Sequence, residues 1–231
     1  MASRPLIVID APALLPPLAR ALEHALQHPV LPIDPAGLDL SRIPLHADAL
    51  LELRLPDGDG LLLAHTLQTR CPSIRILLWS LRLSPLDLWL AWRLGLAGCL
   101  DKAEPWERLV ESVRRMEAGE PVWTPAQLRT IQAFEAEVGE RLRRLRSGDW
   151  EKLADLARFP SWKERAAAWG MSRDGARRAI ARLCARLEIE DPEALIRWAL
   201  RHGLLEWLPE GPRLAPGLTA LREAGEGNQG R

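Results

Sequence analysis

Apolar residues in the first half of the chain fall into short runs separated by stretches of helical spacing. Residues 6–9 read Leu-Ile-Val-Ile and are followed at once by Asp10. That predicts a buried strand and not a secretory leader. Short apolar runs recur at 50–55, 74–79 and 99–100. Between the first two, residues 13–26 place Leu14, Leu15, Leu18, Leu22 and Leu26 on one helical face, with Pro16 and Pro17 marking where the regular part begins. Residues 61–67 and 85–94 also read as helices, as do 105–117, where Pro105 sits in a first turn that has no use for its missing donor. Strands alternating with helices predict a parallel sheet covered on both faces.

The alternation ends at Gly119-Glu120-Pro121, and only helical spacing follows from Thr124 onward. Residues 124–146 open with Thr-Pro, a cap and a preorganised first residue, and close on Arg141, Arg143, Arg144 and Arg146, which suit the negative end of a helix. Leu128, Ile131, Phe134, Val138, Leu142 and Leu145 recur every three or four residues. This stripe makes the linker helix a candidate for pairing with a second copy. Ser147-Gly148-Asp149 breaks the pattern, and 150–157, 162–169, 172–187 and 192–202 read as short helices with Gly203 as a C-terminal cap. Beyond Leu208 the chain is rich in Pro, Gly and Glu, which predicts disorder. The organisation is therefore residues 1–118, a linker 119–148, a helical domain 149–205 and a tail 206–231.

Charge changes the picture only locally. Lys plus Arg number 31 and Asp plus Glu number 31, so the whole chain has no basic excess to attract nucleic acid. Residues 171–187, however, hold Arg173, Arg177, Arg178, Arg182 and Arg186 against a single acid, Asp174. No apolar run approaches the ~18–20 residues of a membrane span, so no membrane partner is expected. Three cysteines lie far apart without metal-ligand spacing, which predicts a reduced cytoplasmic location and no metal. Ten tryptophans stand against no tyrosine. Most are expected in cores, although Trp89 and Trp92, near the helix before the last strand, would form a pairing patch if exposed.

Residues 162–169, Gly170-Met171 and 172–187 form a helix, a tight turn containing Gly, and a second helix. Ser172 can cap the second helix, and Asp174 favours its positive end. Ala176, Ala179, Ile180, Leu183 and Leu187 share a stripe. Asp174, Arg178, Ala181 and Ala185 lie opposite, flanked by Arg177 and Arg182. Small residues among arginines let a helix enter a major groove, where Arg reaches guanine edges or phosphates. The plainer reading is an amphipathic helix with a solvated arginine face.

Ser161-Trp162-Lys163-Glu164-Arg165-Ala166, Met171-Ser172, Ala176-Arg177 and Leu183-Cys184-Ala185-Arg186-Leu187 resemble the LuxR-type output domain, with matching spacing from 161 to 187 and a span of about 150–205. The family's opening Leu-Thr-Pro-Arg-Glu is absent; Leu145-Arg146-Ser147-Gly148-Asp149 stands there, and Gly175 replaces its usual Thr. The resemblance implies that Arg177, Arg178 and Ala181 face bases, and that Lys163, Arg173 and Arg182 contact phosphates, with Ser172 at the helix start. Trp162 and Trp169 are expected to be core or helix-packing residues and not base-stacking platforms.

The first half resembles the receiver domain of two-component response regulators. Leu53-Arg54-Leu55-Pro56-Asp57-Gly58-Asp59-Gly60 resembles the loop after the phosphoacceptor strand. Ser80 closes the fourth strand, where that family has Thr or Ser, and Gly95-Leu96-Ala97-Gly98 followed by Lys102 resembles the segment carrying the pocket lysine. The resemblance covers roughly 4–118 and implies an α/β, flavodoxin-like, five-stranded parallel sheet; with the output domain it is similar to NarL/FixJ-type regulators. The pocket departs from that pattern. Glu52 stands at the phosphoacceptor position, the acidic pair after the first strand is reduced to Ile9 and Asp10, and the switch position is Cys99 instead of an aromatic. Phosphotransfer needs an Asp nucleophile and a carboxylate-held Mg²⁺. A metal ligand is therefore short, and no cofactor is expected. Three readings stay open: Glu52 pairs with Lys102 and imitates the phosphorylated state, the pocket is a relic, or Glu52 or Asp57 is still phosphorylated. Loss of the aromatic tilts the balance toward the relic.

The expectation is an atypical, non-enzymatic response regulator that binds double-stranded DNA as a cytoplasmic homodimer and regulates transcription, its two recognition helices about one DNA turn apart. The alternative is a pseudo-receiver module that acts on a protein partner such as RNA polymerase without touching DNA.

Overall fold

Successive residues of a strand point to opposite faces of a sheet, and here both faces are covered. The computed structural model describes residues 4–56, 58–208 and 211–219. Its first half runs β1 (Leu6–Ile9), α1 (Leu15–Leu26), β2 (Val30–Ile33), β3 (Asp48–Leu51), β4 (Arg54–Leu55), β5 (Gly58–Asp59), α2 (Gly60–Arg70), β6 (Arg75–Ser80), α3 (Pro85–Arg93), β7 (Gly98–Asp101) and α4 (Trp106–Glu117). Five strands form one parallel sheet in the order β2-β1-β3-β6-β7. This is the doubly wound order 2-1-3-4-5 counted over the sheet strands: the alternation predicts a parallel sheet, and the resemblance to receiver domains implies this five-stranded form of it.

Leu6 and Val8 of β1 join Leu50, Leu77 and Leu100 beneath α1 and α4. Ile7 and Ile9 join Leu51, Ile76, Leu78 and Cys99 beneath α2 and α3. The run expected at 50–55 divides. β3 stops at Leu51, and Arg54-Leu55 instead pairs antiparallel with Gly58-Asp59 in a small hairpin. Between β2 and β3 the chain makes only two 3-10 turns, Pro35–Gly37 and Leu40–Arg42, capped by Asp34 and Asp39.

The second half runs α5 (Pro125–Phe134), α6 (Glu140–Leu142), α7 (Ser147–Arg158), α8 (Trp162–Ala168), α9 (Arg173–Leu187), α10 (Pro192–Arg201), β8 (Leu205–Leu208) and β9 (Gly211–Leu214). Thr124 and Gln127 cap α5 reciprocally, the side chain of each accepting the other's backbone N–H. The linker differs from the expected uninterrupted helix. Between α5 and α6, residues Glu135–Gly139 widen into a π turn, and no hydrogen-bonded helix spans 143–146. The apolar stripe is not available to a second copy either. Ile131, Phe134, Val138 and Leu142 are buried within the chain, α5 packing against α3 and α6 against α9. Trp89 touches both α5 and the π turn. It is fully buried, stacks on Phe134 with centroids 5.5 Å apart, and donates its indole N–H to Glu135 Oε2 at 2.5 Å. Trp89 therefore lies in the core, which removes it from the expected pairing patch. Trp92 remains 46% exposed, edge-on to Trp123 at 5.5 Å.

Composition predicts disorder from 206, but the chain forms the β8–β9 hairpin and a further turn in which Ala215 and Leu218 are buried. A few apolar positions decide this, because they close over the receiver-like half. Gly217 packs so tightly against α2 and α3 that an added Cβ would meet Leu90 Cδ1 at 2.8 Å. One buried cluster consequently runs from the sheet through α3 and α5 into α7, α9 and α10. Residues 220–231 of the expected tail lie outside the described residues.

Gly60, the first residue of α2, shows how closely the loop after β3 is fitted. A Cβ there would collide with the Glu52 carbonyl oxygen and lie 2.8 Å from Leu53 Cα. Both obstacles are backbone and cannot rotate away. Gly60→Ala is expected to cost ~3 kcal/mol, the upper end of ordinary overpacking. Urea denaturation should show a lowered midpoint with an unchanged slope.

Candidate nucleic-acid interface and receiver-like pocket

The carboxyl ends of a parallel sheet point into the crevice where ligands usually bind. Asp10 follows β1, Glu52 follows β3, Ser80 ends β6 and Lys102 follows β7, so the four predicted pocket residues converge there. Lys102 Nζ lies 2.6 Å from Asp10 Oδ2 and 2.5 Å from Glu52 Oε2. Glu52 Oε1 accepts the Ser80 hydroxyl at 2.5 Å and the Arg54 backbone N–H at 2.9 Å. Asp10 Oδ1 accepts the Ala11 N–H at 2.6 Å. The ammonium also lies 4.7 Å from the centre of the Trp79 ring. Asp10, Glu52 and Ser80 are buried. The site is thus a water-poor network in which both carboxylates share one cation.

The longer Glu side chain matters here. Its extra methylene carries the carboxylate to both Ser80 and Lys102, leaving no oxygen of Glu52 without a partner. A divalent ion would need several oxygen ligands. Among the described residues the carboxylates that meet in this pocket are those of Asp10 and Glu52, and both already contact Lys102. A divalent ion bound by these two carboxylates would have to compete with the Lys102 ammonium. Asp57 lies outside the described residues.

Cys99 is buried in β7, and burial pushes its thiol well above the usual range. Its backbone carbonyl accepts the Gln127 side-chain amide of α5 at 2.8 Å. The switch position is thus tied to the linker through main chain. Sequence reading missed this contact and a second one. Arg54, two residues after Glu52, reaches Glu206 of β8 at 2.9 Å and Asp87 of α3 at 3.6 Å. The only signal in the sequence was an arginine in an unusual loop. Its partner lies 152 residues away.

In the second half, α8, a turn with Gly170 at φ +60°, and α9 form the expected helix-turn-helix. The Ser172 hydroxyl caps α9 by accepting the Gly175 N–H at 3.0 Å. Ala176, Ala179, Ile180, Leu183, Cys184 and Leu187 are buried. On the other side Arg173, Arg177, Arg178, Ala181 and Arg182 are exposed, and Lys163 of α8 is exposed too. Arg177 makes a loose contact with Asp174, at 3.9 Å, and its guanidinium lies 5.9 Å from the centre of the Trp162 ring. By contrast, Arg186 is paired with Asp149, and Arg144 with Glu188.

Arg165 is structural. It donates to the Phe159 and Leu156 carbonyls at 2.7 and 3.0 Å, closing the end of α7, and stacks 4.7 Å from the Trp162 ring. Trp169 donates to Asp155 at 2.8 Å. Both tryptophans are half-buried packing residues, as expected. Sequence reading also missed that the start of α7 joins this face. Arg146, Lys152 and Arg182 line one concavity beside α9. Arg146 and Lys152 come from the start of α7 and Arg182 from α9, so no spacing along the chain announces them.

No protein-family model matches the chain, and no curated protein matches it. Solved structures do. RcsB from Salmonella enterica serovar Typhimurium, bound to the flhDC promoter P1 in the presence of phosphomimetic BeF₃⁻, is 19% identical with a TM-score of 0.55 over 85% of this chain and 98% of that one. A LuxR-family two-component response regulator from Aurantimonas sp. SI85-9A1 is 17% identical with a TM-score of 0.49 over 58% of this chain and 99% of that one. The likeness to RcsB shows that this chain has the two-domain fold of that response regulator: a five-stranded parallel sheet with its helices, followed by a helical domain. Among the described residues no helix is long and apolar enough to cross a membrane.

Proposed function

We propose that this protein is a DNA-binding transcription regulator of the response-regulator type whose activity does not depend on aspartyl phosphorylation. One observation carries the DNA reading. α9 is anchored by one buried side, while Arg177, Arg178, Ala181 and Arg182 stand together on the exposed side. A helix presented this way enters a major groove with Arg177 and Arg178 at base edges. Lys163, Arg173 and Arg182, with Ser172 at the helix start, meet the phosphates. The fold shared with a promoter-bound regulator supports the reading.

The pocket supports independence from phosphate. Glu52 occupies the nucleophile's position, its oxygens are engaged, and its carboxylate contacts Ser80 and Lys102 together. That contact favours a permanently switched state over an inert relic. With acetyl phosphate and Mg²⁺, mass spectrometry is expected to show no stoichiometric gain of one phosphoryl group, and DNA affinity is expected to stay unchanged. A stoichiometric phosphoryl adduct at any carboxylate of residues 10–59 would overturn this part of the reading.

A homodimer on DNA remains part of the proposal, but Trp89 and the buried residues of the linker stripe, Ile131, Phe134, Val138 and Leu142, do not form its interface, because they are buried within one chain. Genome-wide mapping of bound DNA tests the functional reading. Recovery of discrete sites supports it, whereas recovery only of sites that depend on RNA polymerase favours action through that protein.

A further inference from the structure

Trp162 opens α8, and Arg177 lies in the second turn of α9. The turn between the helices brings two guanidinium groups to one indole ring. Arg165 lies 4.7 Å and Arg177 5.9 Å from its centre. Both are within the ~6 Å over which an aromatic face attracts a cation. The two arginines are held differently. Arg165 is buried, and the Phe159 and Leu156 carbonyls fix its guanidinium. It is a rigid support for the half-buried Trp162 ring, which also packs on the core. The Arg177 side chain is 61% exposed, and among the described residues its guanidinium meets Asp174, at 3.9 Å, and the ring. Arg178, the other arginine assigned to a base edge, has no ion pair, hydrogen bond or ring contact from its side chain among the described residues.

We propose that Trp162 is a positioning residue for base readout: its ring, steadied by Arg165, orients Arg177 toward a guanine in the major groove, while Arg178 finds its base unaided. The inference rests on the DNA reading of α9. Packing accounts for Trp162 against Arg165 and the core, but not for its approach to Arg177, which stays in solvent and adds nothing to the fold. A guanidinium that rests on a ring keeps its N–H rim free for the two acceptors of a guanine edge. A long side chain that is already directed also loses less freedom when it binds than one that is free. Asp174 acts the other way. It lies three residues earlier on the same helix and draws the guanidinium back onto α9. Without the ring, that carboxylate is the partner left.

The test uses the full chain and a DNA duplex that it selects from a randomised library, with the single-base-pair variants of that duplex. Arg177→Ala and Arg178→Ala identify the base pair each arginine reads. Trp162→Leu is expected to lower discrimination at the Arg177 base pair about two- to fivefold. The Arg178 base pair is the internal control and should not change, whereas a loosened domain would lose both. The salt dependence of binding should also stay, because Arg177 keeps its charge. Trp162→Phe retains a flat ring and should keep most of the discrimination. In an Arg177→Ala background, Trp162→Leu should have no further effect on that base pair.

Proton NMR without DNA reads the contact directly. The δ-methylene of Arg177 should carry a ring-current shift in the natural protein and lose it in Trp162→Leu. Absence of that shift in the natural protein would overturn the proposal whether or not the variants fold. So would equal losses at both base pairs, a loss that Trp162→Phe does not rescue, or one that persists in Arg177→Ala. If Arg177→Ala loses its base pair while Trp162→Leu keeps full discrimination, the positioning role fails alone. If no duplex is selected, or Arg177→Ala binds every duplex as the natural protein does, the DNA reading fails and this inference falls with it.

Discussion

Arg177→Ala and Arg178→Ala are each expected to weaken binding to a cognate DNA site by about 1–3 kcal/mol, a loss of roughly 5- to 150-fold, and to relax discrimination at the base pair each side chain faces. Both side chains are exposed, and neither holds a close ion pair. Thermal stability should therefore stay within about 0.5 kcal/mol of the natural protein. Lys163→Ala and Arg182→Ala should behave differently. They are assigned to phosphates, so each should lower affinity evenly across sequences and reduce the slope of log affinity against log salt by about 1. Arg146→Ala, from the concavity shared with Arg182, is expected to follow that second pattern. Gel-shift titrations over a range of salt concentrations separate the two classes. If binding is unchanged in both Arg177→Ala and Arg178→Ala, α9 does not read DNA, and the protein-partner alternative gains.

Lys102→Met is expected to have the largest effect on stability. The side chain of Lys102 is 9% exposed and is the one cation within contact of Asp10 and Glu52 among the described residues. Removing it leaves two buried carboxylates facing each other without compensation. Breaking a buried pair from one side typically costs about 3–5 kcal/mol, a large share of the ~5–15 kcal/mol that holds an ordinary domain together. Adding Glu52→Gln to Lys102→Met should recover part of it, because one uncompensated charge is gone while hydrogen bonding near Ser80 is retained. Urea denaturation of the natural protein and the single and double variants measures this. A single variant as stable as the natural protein would mean that the network is open to water and not the closed site described above.

The parts legible in the sequence were those governed by local rules. Leu6-Ile7-Val8-Ile9 could only be a strand covered on both faces, because every position is apolar, and the alternation with helices led to the parallel sheet. Ser172 as a cap, Gly170 in the turn and the buried stripe of α9 follow from spacing within a few residues. Asp10, Glu52, Ser80 and Lys102 could be grouped through the resemblance to receiver domains, and they meet because the ends of parallel strands share one edge. Illegible were pairings between residues far apart in the chain. The stripe from Leu128 to Leu145 has the spacing of a helix that pairs with another helix, and periodicity does not say which one. Trp89 and the rest of α3 supply that partner from within. The Pro- and Gly-rich stretch after 206 was read from composition, which counts residues without asking what Leu205, Ala215 and Leu218 can reach.

The sequence by itself therefore determined the order of elements, the two halves and the basic exposed face of the second helix of the helix-turn-helix. These follow from the two side-chain periodicities and from caps a few residues away. Only the tertiary structure decided that the halves share one core, that Arg54 bridges them to Glu206, that Lys102 serves two carboxylates at once, and that Arg146 and Lys152 widen the basic face. Each of these is a contact between residues whose separation in the chain carries no trace of their distance in space. Burial of a continuous apolar surface brings them together, and no local propensity encodes it.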